Sequence, residues 1–175
     1  MLFNELHFRD NENLLDFDNG NIILRNAVRA IIIDGNYILM AHLEKTDEYK
    51  FPGGGRNDNE TTEEAIKREV LEEIGFNVIK INEKIGIITE YAIAKEGGNN
   101  IFKMVSEYYS VEVDQKQFEQ NLEEYEKDLQ FTPCWVEIKK AYETNKNKIE
   151  NKYITTTGIN RETIALGKII EEYKL

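Results

Sequence analysis

Gly54-Gly55-Arg56-Asn57-Asp58-Asn59-Glu60-Thr61-Thr62-Glu63-Glu64-Ala65-Ile66-Lys67-Arg68-Glu69-Val70-Leu71-Glu72-Glu73-Ile74-Gly75-Phe76 is the stretch on which the reading of this chain turns. Thr61 is a good helix N-cap, and Glu64 three residues later completes a capping box, so a helix is predicted to start at Thr62. No breaker interrupts Ala65 to Ile74, and Gly75 falls where a left-handed C-terminal residue is wanted. At about 100° per residue, Glu69, Glu72 and Glu73 lie within roughly a 100° arc of that helix. Ile66, Val70 and Ile74 share the neighbouring arc and should face a core. Carboxylates at such spacings are close neighbours, and their repulsion costs helix stability unless something neutralises it.

A divalent cation neutralises such a cluster well. Mg²⁺ takes oxygen ligands in octahedral geometry, commonly one or two carboxylates with waters and substrate phosphates. The bland alternative, a solvated acidic helix face, does not account for the glycines and Arg68 that accompany the glutamates. Phe51-Pro52-Gly53-Gly54-Gly55 just ahead is a loop that regular structure would not tolerate. Its glycines let the backbone come close to a metal ion or a phosphate.

The same residues resemble the Nudix box, G-x5-E-x7-R-E-U-x-E-E-x-G-U with U a bulky apolar residue. Gly54, Glu60, Arg68, Glu69, Glu72, Glu73 and Gly75 match its invariant places, and Val70 and Phe76 fill its U positions. The resemblance implies an α/β fold, the Nudix α/β/α sandwich with a mixed sheet and a loop-helix, here as a single domain over residues 1–175. It implies a hydrolase of nucleoside diphosphate-linked compounds that depends on Mg²⁺ or Mn²⁺. By resemblance, Glu69 and Glu73 are the principal metal ligands, and Glu72 is a further ligand or a water-mediated contact. A carbonyl at Gly53 or Gly54 can join them. The family uses the arginine matching Arg68 to orient a glutamate, as suits a guanidinium that can grip a carboxylate with two bonds. Glu60 either binds metal or shapes the loop.

Relatives often recruit one more carboxylate from outside the box. Glu124 or a neighbour, in the acidic segment before Trp135, is the first candidate, and Glu107 the second. The catalytic set expected is therefore Glu72, Arg68 and Glu124. Arg25, Arg29, Lys45 and Lys50 precede the box and could form a local basic patch. Arg29, Gly54 and His42 are the expected substrate contacts. The ADP-ribose-type relatives carry a proline about sixteen residues beyond the last box glycine, where this chain has Tyr91. Zinc-bearing relatives have cysteine clusters, which are missing here. A nucleoside triphosphate, normal or oxidised, is the first expected substrate, giving a monophosphate and pyrophosphate. ADP-ribose, a nucleotide sugar or a dinucleotide polyphosphate is the alternative, and a nucleotide-binding sensor without turnover is the rival from another class.

The rest of the chain bounds these expectations. With 41% hydrophobic and 31% charged residues, the composition is that of a soluble globular domain. The net charge of −11 argues against nucleic acid as a partner and leaves a small nucleotide, bound through a metal ion, as the ligand. One cysteine, Cys134, suits a reducing cytoplasm, and no signal peptide or membrane span is evident. A monomer or a homodimer is expected. Asp34-Gly35-Asn36 joins the apolar runs Val28–Ile33 and Tyr37–Leu43 as a hairpin. Strands are expected around Phe8 and Ile22–Leu24, then at Asn77–Gly86, Ile87–Ala94 and Lys103–Val113, with a turn at Gly97–Asn100. Gln115–Leu129 has apolar residues at near-helical spacing. A short strand at Trp135–Ile138 and helices at Lys139–Lys148 and Arg161–Tyr173 complete the outline.

Overall fold

The hairpin expected at Asp34-Gly35-Asn36 forms, with Ile33 opposite Ile38 and Asp34 opposite Tyr37. Around it, a computed structural model describes residues 1–8, 21–94 and 100–174. The strands are β1 (Phe3–Phe8), β2 (Ile22–Ile31), β3 (Ile33–Asp34), β4 (Tyr37–Leu43), β5 (Glu48–Lys50), β6 (Phe76–Ile93), β7 (Ile101–Gln117) and β8 (Phe131–Glu137). The helices are α1 (Thr62–Ile74), α2 (Glu124–Leu129), α3 (Ile138–Glu150) and α4 (Ile159–Tyr173). One sheet has the order β1-β6-β7-β2, antiparallel between β6 and β7 and parallel at both edges. In the other, β4 pairs with β8 along its length and with β3 and β5 at its two ends.

Alternation along the strands feeds two cores. Ile31, Ile38 and Met40 join Tyr108 and the inner faces of α3 and α4 (Ile138, Ala141, Leu166, Ile169). Ala30, Ile32, Leu39, Ala41 and Leu43 pack instead with Ala65, Ile66, Val70 and Ile74 of α1. Helices thus pack on either side of the strands, and with one sheet mixed and the other antiparallel this is the α/β/α sandwich expected. Helix α1 begins and ends where its caps dictate. The Thr61 hydroxyl accepts from the Glu64 N–H at 3.2 Å, Glu64 accepts from the Thr61 N–H at 2.8 Å, and Gly75 closes the helix at φ 73°.

Two elements depart from the sequence outline. The strands expected at Asn77–Gly86 and Ile87–Ala94 are one strand, β6, whose register shifts up to Gly86 let it bend without ending. Gln115–Leu129 is not one helix. β7 runs on to Gln117, and the chain is then held extended on the end of α1, because Phe118 N–H donates to Gly75 O at 2.7 Å and Asn121 N–H to Glu72 O at 3.0 Å. Only the short α2 remains helical. The turn expected at Gly97–Asn100 falls largely on residues 95–99, outside the described residues. No helix among the described residues is long and apolar enough to cross a membrane.

Candidate functional site

The glycine loop is pinned along β2 by its backbone: Ala30 N–H donates to Pro52 O at 2.8 Å, Val28 N–H to Gly54 O at 3.0 Å and Arg56 N–H to Asn26 O at 2.9 Å. Gly53 sits at φ 141°, and a Cβ there would stand 2.1 Å from the Val28 carbonyl oxygen, so only glycine fits. Buried charges fix the loop from behind. Glu162 on α4 accepts from Phe51 N–H at 3.1 Å, Glu73 accepts from Gly53 N–H at 2.8 Å, and Arg29 donates to Gly53 O.

In front of the loop lies an acidic cleft of about 390 Å³, walled by Gly54, Gly55, Arg68, Glu69 and Glu72 on one side and Glu123, Tyr125 and Glu126 on the other. Arg68 organises it. Its Nε and Nη2 grip both oxygens of Glu60 at 2.7 and 2.9 Å, and its Nη1 reaches Glu69 at 2.7 Å and Glu72 at 3.3 Å. That grip holds the Glu60 carboxyl down at about 2. Burial pushes Glu69 up, against the pull of Arg68. A Cβ on Gly54 would lie 2.6 Å from the Glu69 carboxylate, so the missing side chain is what admits Glu69 to the loop.

The donors facing the cleft are oxygens, the chemistry a hard divalent cation selects. Among the described residues no three histidine, cysteine or acidic side chains converge closely enough to enclose an ion. Glu69 and Glu72 alone match the one or two carboxylates that Mg²⁺ takes when waters and phosphates complete its shell. The residues present therefore fit such an ion.

Several expected site residues sit elsewhere. Glu73 lies behind the loop, 1% exposed and paired with Lys50 at 2.6 Å, and does not line the cleft. Its burial outweighs Lys50 and pushes its carboxyl up to about 7. The Gly53 carbonyl is engaged by the buried Arg29. Glu124 is exposed and off the cleft. Glu123 and Glu126 take the place expected for it, and Glu126 is turned inward by accepting from Glu123 N–H at 2.9 Å and from the Tyr125 hydroxyl at 2.8 Å. The helix-start spacing Glu123-x-x-Glu126 was the signal that could have separated these neighbours. His42 stands opposite Tyr49 across β4 and β5, stacks on it at 4.8 Å and meets Asp47 at 3.0 Å, and it lines neither cavity described here. Glu107 pairs with Lys84 and accepts from the Tyr109 hydroxyl at 3.0 Å, likewise away from the cleft.

A larger cavity, about 870 Å³, adjoins the cleft and shares Arg25, Gly54, Gly55 and Tyr125 with it. One wall is apolar (Ile23, Ala92, Ile93, Phe102, Met104), and the other is the Thr155–Asn160 connection between α3 and α4. Glu48 straps that connection to β5 by accepting from the Thr156 N–H at 2.8 Å and its hydroxyl at 2.7 Å. Sequence reasoning missed this cavity, since polar residues between helices carry no signature.

The NUDIX domain model matches residues 23–157. The RNA pyrophosphohydrolase of Histophilus somni (strain 2336) is 38% identical over 67 residues, which is 36% of this chain and 31% of that protein. The RNA pyrophosphohydrolase of Helicobacter pylori (strain P12) is 40% identical over 63 residues, 33% of this chain and 41% of that protein. The match thus spans well under half the length of these curated relatives. A crystal structure of a MutT NUDIX hydrolase from Burkholderia pseudomallei superposes with a TM-score of 0.51 at 17% identity, covering 67% of this chain and 85% of that one, a likeness of fold.

Proposed function

Because the chain belongs to the NUDIX domain family, we propose that it is a pyrophosphohydrolase, dependent on Mg²⁺ or Mn²⁺, that cleaves a nucleoside triphosphate to the monophosphate and pyrophosphate. The observation that carries this reading is the acidic cleft, in which Arg68 aims Glu69 and Glu72 at a space bounded by the bare backbone of Gly54 and Gly55. Glu69 and Glu72 would hold the divalent ion. Such an ion polarises phosphoryl oxygens and lowers the pKa of bound water.

The chain's own residues supply position and proton transfer. Glu60 fixes Arg68, and Arg68 fixes the two glutamates, so the carboxylates would receive the ion without first reorganising. Glu123 faces them across the cleft, and unlike the buried Glu126 it is exposed to the solvent that supplies the attacking water. We assign it the role of base: it takes the proton of a water whose oxygen attacks phosphorus as the bridging P–O bond breaks. Glu126 is a poorer base, its oxygens already accepting from Tyr125 and Glu123. Large stretches of nucleic acid suit the net charge of −11 badly. The names of the two relatives nevertheless favour a second reading, in which the phosphate chain is that of an RNA 5′ end.

The test is product analysis on a panel of nucleoside triphosphates, ADP-ribose, nucleotide sugars, dinucleotide polyphosphates and triphosphate-ended RNA, each with Mg²⁺, Mn²⁺ or chelator. Metal-dependent pyrophosphate release from free triphosphates is expected. Turnover confined to RNA would transfer the assignment to the second reading. Silence across the panel from folded protein would sink the enzyme.

A further inference from the structure

We infer that Arg25 is the residue that grips the substrate's phosphate chain where it passes from the acidic cleft into the larger cavity, and that Gly55 is its seat. The inference rests on the pyrophosphohydrolase reading. Phosphates approaching the cleft face Glu69, Glu72, Glu123 and Glu126, and the cation already there, Arg68, is spent on Glu60, Glu69 and Glu72. Lys50 is committed to Glu73 and Arg161 to Glu90 and Glu162, while Arg29 is buried, donates to Gly53 O and lines the larger cavity but not the cleft. Lys45 is exposed and lines neither cavity. Arg25 differs from all of these. It lines both cavities, and its guanidinium makes no hydrogen bond or ion pair to another described residue.

Its position has a structural cause. β2 carries it alongside the glycine loop, where Ala27 bridges Gly55. A Cβ on Gly55 would stand 2.5 Å from the Arg25 Nε and 2.6 Å from its Nη2. The guanidinium therefore lies against a loop kept bare for it, with its donors free for phosphate oxygens. A chain long enough to touch both Arg25 and Glu69–Glu72 leaves its organic group in the larger cavity, where an apolar wall faces a hydroxyl-bearing one. Arg25 thereby selects for polyphosphate esters of a bulky, hydrogen-bonding group over a bare polyphosphate.

The experiment is calorimetric titration with α,β-methylene analogues of ATP, GTP, CTP and UTP in the presence of Mg²⁺. Arg25→Ala should weaken the analogue bound best by about tenfold to a hundredfold, the range of a charge-assisted hydrogen bond. Arg25→Lys should recover only part of it, since an ammonium lacks the fork. Gly55→Ala should weaken binding, and the Arg25→Ala/Gly55→Ala double variant should bind no worse than Arg25→Ala alone, because both act through one guanidinium. An unchanged affinity in Arg25→Ala would overturn the proposal, as would an equal loss in Lys45→Ala, which would signal charge alone. Failure of wild type to bind any analogue would overturn it together with the hydrolase reading. Binding lost in Arg25→Ala without hydrolysis of the natural triphosphates would instead uphold the grip and sink the hydrolase.

Discussion

Glu69→Gln is expected to lower turnover about a thousandfold while leaving the protein folded, the size of an effect worth several kcal/mol in the transition state. Glutamine keeps the shape of the side chain and an oxygen for Arg68, now 2.7 Å from Glu69, but removes the charge a divalent ion needs. Folding should not suffer. Glu69 is only 8% exposed and shares one helix face with Glu72 and Glu73, so losing its charge relieves both burial and repulsion. The melting temperature should hold or rise. Glu72→Gln should behave in the same way. Turnover within severalfold of wild type in either variant would remove that residue from the catalytic set.

The second large effect falls on stability. Arg161→Met should cost about 3–5 kcal/mol, the usual consequence of taking one partner from a buried ion pair. Arg161 is buried, bonds to Glu90 on β6 and reaches Glu162 beside it on α4 at 2.6 Å. Methionine fills the space but leaves both carboxylates without the guanidinium. Glu162 also receives the Phe51 N–H, so the loss reaches the glycine loop as well as the helix packing. Denaturant unfolding should show the midpoint falling, with a melting temperature lower by roughly 10 °C for a chain of this size. Arg161→Lys should recover only part, because one ammonium cannot reproduce the forked contact. A midpoint unchanged by Arg161→Met would mean that the network contributes little.

Helix α1 was legible because each level agrees: Thr61 and Glu64 cap its start, Gly75 ends it, and its apolar arc meets a core. The hairpin at Gly35 was legible for the same reason. Gln115–Leu129 misled because Phe118, Leu122, Tyr125 and Leu129 do have near-helical spacing, while the hydrogen bonds that hold Phe118 and Asn121 extended come from the far end of α1. His42, an expected substrate contact, is instead partnered by Asp47 and Tyr49, which reach it only because β5 folds back onto β4. Glu73 was read with Glu69 because they share a helix face, yet the turn between them is enough to point one at the cleft and the other at Lys50. Arg25 stood among the basic residues noted ahead of the box, and what singles it out is the engagement of the others, which no linear pattern records.

Glu69 and Glu72 are the proposed ligands of the divalent ion, and everything else at the site depends on them. Titration of the protein with Mn²⁺, followed by the electron paramagnetic resonance signal of the free ion, tests that assignment without reference to any substrate. Wild type should deplete the free-ion signal, with Glu69→Gln and Glu72→Gln each binding at least about tenfold more weakly, the lower end of what losing a charged contact costs. Equal Mn²⁺ binding by wild type and both variants would contradict the account.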